Sequence, residues 1–119
     1  MQIFSKTDRG RVRTDNQDAY FAGKITDDSV FAGVCDGMGG ANAGNVASEL
    51  AVRHISEYVI RSYRDGMNMT DTEKTLKNAI VSANISLYDK AVNNAELAGM
   101  GTTAVAVFVK DGTAVIAHV

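Results

Sequence analysis

Apolar and polar positions run in short strand-like stretches near both ends of the chain, with long three-and-four-residue spacings between them. Gln2 to Thr7 alternates roughly, which predicts a short strand, and Asp8-Arg9-Gly10 reads as a turn. Gln17-Asp18-Ala19-Tyr20-Phe21 leads into an extended segment, and Thr26-Asp27-Asp28-Ser29 reads as a hairpin turn. Val30 to Cys35 is a near-continuous apolar run, the pattern of a strand buried on both faces. It ends abruptly in Asp36, and the glycine-rich turn Gly37-Met38-Gly39-Gly40 follows. A strand that delivers an acid to its own C-terminal end is a common way to build a rigid site. The glycines permit a sharp turn and close approach of other atoms to the carbonyls.

From Ala43 the period lengthens. Ala47, Leu50, Ala51, Ile55, Tyr58 and Val59 share one helical face, and Asp65-Gly66 is the predicted stop. Thr70-Asp71-Thr72-Glu73 has the form of a capping box and opens a second helix. Leu76, Ile80, Ala83, Leu87 and Ala91 form its apolar stripe, which should fade near Asn93-Asn94. Gly99-Met100-Gly101 reads as a loop, Thr102 to Val109 as a strand, Lys110-Asp111-Gly112 as a tight hairpin turn and Thr113 to Val119 as the partner strand. Strands, then two helices, then strands predict an α+β layered domain rather than alternating βαβ units.

A chain of 119 residues with 45% hydrophobic content suffices for one domain with a real core. The net charge of -2 and the scattered basic residues give no reason to expect nucleic-acid or anionic-membrane binding. One cysteine, Cys35, excludes an internal disulfide and a structural zinc set. The start lacks the apolar core of a signal peptide, and no apolar run has membrane-spanning length, so a reducing cytoplasm is the expected setting.

Four acids, Asp8, Asp15, Asp18 and Asp36, fall beside turns, with Arg13 among them. Carboxylates next to glycine carbonyls suit a hard divalent cation, and an arginine fork suits a phosphate. Solvated or capping acids in turns are the plainer explanation of the same pattern. Direct phosphate cradling by the glycine-rich loop fits less well. The dinucleotide fingerprint fails at Asn42, and the Walker pattern fails at Asn45, where lysine is required. A bare Asp36 carboxylate beside a pyrophosphate would also repel it.

Four runs, read together, carry a family resemblance. These are Thr7-Asp8-Arg9-Gly10-Arg11-Val12-Arg13, Asn16-Gln17-Asp18, Asp36-Gly37-Met38-Gly39-Gly40 and Gly101-Thr102-Thr103-Ala104. In order and spacing they resemble the bacterial branch of the metal-dependent type 2C protein serine/threonine phosphatases. The resemblance implies a four-layer α/β/β/α sandwich with antiparallel sheets, to which these residues would give one helix pair and parts of both sheets. It implies hydrolysis of phosphoserine and phosphothreonine in proteins by a metal-activated water, at a site holding two or more Mn²⁺ or Mg²⁺ ions. Asp36 would bridge the metals, the Gly37 carbonyl would ligate one, Arg13 would bind the substrate phosphate, and Asp18 would support the metal site. The implied partner is a phosphorylated protein, with a serine/threonine kinase one candidate.

Two departures matter. Met38 stands where some members carry a histidine proposed as general acid. The family also continues beyond the last strand with a Gly-Asp-Ser-Arg-like motif and two further aspartates, none of them present. The chain stops at Ala117-His118-Val119 within an apolar strand, which reads as a domain cut short. Residues 1–119 are therefore expected to be the N-terminal portion of one catalytic domain, truncated on its C-terminal side. That portion should be inactive alone and prone to self-association through exposed sheet edges. A non-catalytic interaction module of the same fold is the alternative, and the retention of Asp36 and Arg13 argues against it. Of the remaining residues, Asp8 and Asp15 read as turn residues, and Asp18 stays open between metal support and a structural hydrogen bond. Cys35 reads as a buried core residue, His54 as a helix-boundary residue, His118 as a strand residue, and Met67 and Met69 as loop or core edge.

Overall fold

A computed structural model describes residues 17–40 and 43–119. The elements are β1 (Asp18–Thr26), β2 (Ser29–Met38), α1 (Ala43–Ser62), α2 (Met69–Asn93), a single 3-10 turn (Ala95–Leu97), β3 (Gly101–Thr102), β4 (Val105–Lys110) and β5 (Thr113–His118). The strand and turn expected over residues 2–10 lie outside the described residues. The strands form one antiparallel sheet in the order β1-β2-β4-β5, with β3 pairing β2 beyond the end of β4. The α+β class holds, with an antiparallel sheet and a helix pair. The described strands belong to one sheet, where parts of two were expected.

Both hairpins form where the sequence places them. Between β1 and β2 the Ser29 hydroxyl is fully buried, accepts the Thr26 N–H at 3.0 Å and lies 2.7 Å from the Thr26 hydroxyl. Between β4 and β5, Asp111 and Gly112 both have positive φ, 51° and 73°, the backbone of a two-residue hairpin turn whose twist matches the strands. Lys110 at this turn reaches Asp65 at 3.0 Å and the Tyr63 hydroxyl at 3.2 Å, tying the hairpin to the end of α1.

α1 lies on β1 and β2, while α2 packs against α1 and reaches β5. The core forms where Phe31, Cys35, Ala106, Phe108 and Ala117 of the sheet meet Ala47, Ala51, Ile55 and Val59 of α1 and Leu76, Ala79 and Ala83 of α2. Met67 packs at its edge. α1 ends at Ser62, slightly before Asp65-Gly66, although the Tyr63 N–H still reaches the Val59 carbonyl.

Three local expectations need correction. The N-cap of α2 is Asn68, not Thr70. The Asn68 Oδ1 accepts the Asp71 N–H at 2.8 Å, which places Thr70 inside the first turn. The strand expected from Thr102 to Val109 is interrupted at Thr103 and Ala104. Finally, β2 is not buried on both faces along its whole length. Phe31 and Cys35 face the helices, but Val34 on the other face is 52% exposed, as only one face of this sheet carries helices. Tyr20, Val105 and Ile116 share that open face, in cross-strand register with β2 and β4.

Candidate functional site

The site is built where β2 runs out past β4. Its alternation puts Asp36 on the open face and Cys35 on the helix face. The Cys35 thiol is buried, and burial pushes its pKa up to about 11, so it is a packing residue and an inert nucleophile.

Asp18 on β1 lies directly opposite Asp36. The next pair outward is held by the Gly37 N–H donating to the Gln17 carbonyl at 2.9 Å. That bond makes Asp18 and Asp36 a non-hydrogen-bonded pair, the kind in which facing side chains come closest. Cβ atoms in such pairs sit about 4.5–5.5 Å apart, and like charges there destabilise the sheet. Both residues are exposed on the same face. Carboxylate oxygens presented together in this way are the donors a hard divalent cation prefers. The donor chemistry therefore fits such an ion. It is a partial set, because no group of three or more His, Cys, Asp or Glu comes together among the described residues.

Gly37 is glycine for a steric reason. A Cβ there would lie 1.9 Å from the Gly44 carbonyl oxygen and 2.9 Å from that of Gln17. The first turn of α1 is thus seated backbone to backbone on the residue after Asp36. A Cβ on Gly44 would in turn meet the Gln17 side-chain amide at 2.5 Å. Gly39, with φ of 145°, makes the intervening turn, and the Ala43 N–H reaches the Gly40 carbonyl at 3.0 Å to start the helix. On the other flank, Thr103 donates its N–H to the Asp36 carbonyl at 2.9 Å, and its hydroxyl accepts the Asp36 N–H at 3.2 Å.

Of the residues expected to act, Asp18, Asp36 and Gly37 are brought together, whereas Arg13, Asp8 and Asp15 lie outside the described residues. Met38 is exposed on the same face as Asp36 and packs over Gly101. His54 is half-buried on α1, and His118 ends β5 opposite Val105. Gln17 and Thr103, both within the quoted runs, received no role from the sequence. Their proximity to Asp36 depends on strand register, which spacing along the chain does not reveal.

Comparisons with known proteins cover nearly the whole chain. The family model described as protein phosphatase 2C matches residues 7–119. The serine/threonine phosphatase Stp of Listeria monocytogenes is 37% identical over 114 residues, which is 96% of this chain and 45% of that protein. Protein phosphatase PhpP of Streptococcus pneumoniae is 30% identical over 121 residues, covering 100% of this chain and 47% of that protein. Among solved structures, serine/threonine phosphatase Stp1 of Staphylococcus aureus superposes with a TM-score of 0.83 at 34% identity, over 95% of this chain and 44% of that one. A Mycobacterium tuberculosis serine/threonine phosphatase gives 0.79 at 29% identity, over 96% and 44%. The chain spans about half the length of the curated relatives it matches.

Proposed function

Because the chain belongs to the protein phosphatase 2C family, we propose that it contributes the first part of a site that hydrolyses phosphoserine and phosphothreonine in proteins. The observation that carries this reading is the cross-strand pair of Asp18 and Asp36 at the open end of β2. The relatives are named serine/threonine phosphatase and protein phosphatase, which supports phosphoprotein substrates; a serine/threonine kinase would be one candidate.

In this reading Asp36 and the Gly37 carbonyl are direct ligands of Mn²⁺ or Mg²⁺, with Asp18 supporting them from β1. Such ions make hydroxide available near neutral pH and neutralise the leaving oxygen. Arg13 grips two oxygens of the substrate phosphate, as a planar guanidinium does well. Met38 has no proton to give, so the leaving group would need help from water or from the metal. The seating of α1 on Gly37 keeps the strand end rigid, so Asp36 need not reorganise as charge develops. Among the described residues no helix is long and apolar enough to cross a membrane, which is compatible with action in the cytoplasm.

Two carboxylates and one carbonyl cannot complete the near-octahedral shells of two such cations. The chain alone is therefore expected to be catalytically silent, and its open apolar face to favour self-association. The test is Mn²⁺-dependent hydrolysis of p-nitrophenyl phosphate by the 119-residue chain and by a protein of the relatives' full length that begins with it. The expected result is turnover only in the longer protein, abolished there by Asp36→Ala. Full metal-dependent turnover in that variant would overturn the assignment of Asp36. Turnover by the short chain, lost in its own Asp36→Ala control, would overturn the expectation that it is silent and mean that its missing ligands are replaced, by a second copy for example.

A further inference from the structure

β4 and β3 keep one register against β2. Val34 is opposite Val105 and Gly37 opposite Thr102, so Thr103 falls opposite Asp36. In a regular hydrogen-bonded pair the two residues would exchange N–H···O=C bonds in both directions. Here one direction is regular, with the Thr103 N–H on the Asp36 carbonyl at 2.9 Å. The other is not: the Asp36 N–H reaches the Thr103 hydroxyl oxygen at 3.2 Å. The Thr103 carbonyl instead accepts the Thr102 hydroxyl at 2.8 Å. Immediately beyond, Ala104 exchanges bonds with Val119 at 2.9 and 3.2 Å, which continues the β4–β5 register, so the irregularity is confined to the Thr103 carbonyl. A side chain has taken the place of a ladder carbonyl at the residue that carries the candidate metal carboxylate.

We propose that Thr103 is a positioning residue for Asp36, its hydroxyl closing the ladder where the main-chain carbonyl turns away and so fixing the direction of the Asp36 carboxylate toward a divalent cation. The proposal rests on the reading of Asp36 as a metal ligand. Ligating carboxylates are commonly oriented by outer partners whose loss weakens metal binding roughly 10–100-fold. Thr103 orients Asp36 through its backbone, with a hydroxyl at a distance a neighbouring carbonyl would otherwise occupy. Valine has nearly the same shape and the same strand preference as threonine but cannot accept the bond. Serine can.

The experiment is NMR on the ¹⁵N-labelled chain at a temperature where far-UV circular dichroism shows each variant folded. Two quantities are read: amide exchange at Asp36, and apparent Mn²⁺ affinity from paramagnetic broadening near Asp36 during titration with the metal alone. Thr103→Val is expected to speed Asp36 exchange on the order of tenfold, the scale of one hydrogen bond, and to weaken Mn²⁺ binding roughly tenfold. Thr103→Ser is expected to match the unsubstituted chain in both. It keeps the test alive if the valine variant does not fold, because a serine variant with weakened Mn²⁺ binding overturns the proposal by itself. Unchanged Asp36 exchange in Thr103→Val overturns it as well. Mn²⁺ binding lost in Asp36→Ala but intact in Thr103→Val overturns the positioning role and leaves the metal reading standing. Equal binding by Asp36→Ala and the unsubstituted chain overturns the metal reading, and the positioning role with it.

Discussion

Gly37 and Gly44 show how a single missing methyl group can hold a site together. With 1.9 Å between a would-be Cβ and a carbonyl oxygen, no side-chain rotation relieves the clash, because both partners are backbone. Gly37→Ala is therefore expected to lift the first turn of α1 off the strand and to cost roughly 1–3 kcal/mol or more. A thermal melt checks this. Gly40→Ala, where a Cβ meets nothing within 4 Å, is its control and should change little. At this scale the sequence was partly legible. Asp36 stood out because it breaks an apolar run, and Cys35 was recognisable as core. Gln17 and Thr103 were not, since their work consists of contacts with residues distant in the chain: Thr103 bonds Asp36 across 67 positions.

The elements follow their periodicities closely, and their ends follow hydrogen bonds that the pattern under-determines. Thr70-Asp71-Thr72-Glu73 has capping-box form, yet Asn68 captures the role two residues earlier by accepting the Asp71 N–H. Asparagine and threonine compete for the same job, and asparagine is the stronger N-cap. Asn68→Ala should then lower stability by about 1 kcal/mol, whereas Thr70→Ala, inside the first turn, should cost a few tenths. Urea unfolding of the two variants separates the assignments, and equal losses would refute the cap. The two hairpins were legible because their turns are short and local. The break between β3 and β4 was not, because Thr-Thr-Ala-Val reads as continuous strand and only the Thr103 carbonyl, taken up by the Thr102 hydroxyl, interrupts it. Exposure of Val34 was likewise illegible, since an apolar run does not say how many layers cover it.

On the scale of the molecule, the described residues make one sheet covered on one side. Val34, Val105 and Ile116 are 52, 51 and 63% exposed on the other side. On α2, Val81, Ile85, Tyr88 and Val92 form a second exposed apolar stripe beside an open groove of about 840 Å³ that Val119 also lines. Apolar surface of this continuity favours association in water. Light scattering should show the mean mass of the 119-residue chain rising with concentration. Ile116→Lys should reduce that rise, and a clean monomer throughout would exclude it. The strand connectivity has a consequence of another kind, in the order of folding events. β1 with β2, α1 with α2 and β4 with β5 are each neighbours in sequence and can form early. The ladders of β2 with β3 and β4 must instead close a loop containing both helices, a slow step whose entropy is repaid only on completion. Asp36 sits on that seam, so its final environment is among the last to form. A cation that recognises it would act kinetically as a latch, slowing the reopening of the one joint on which the sheet depends.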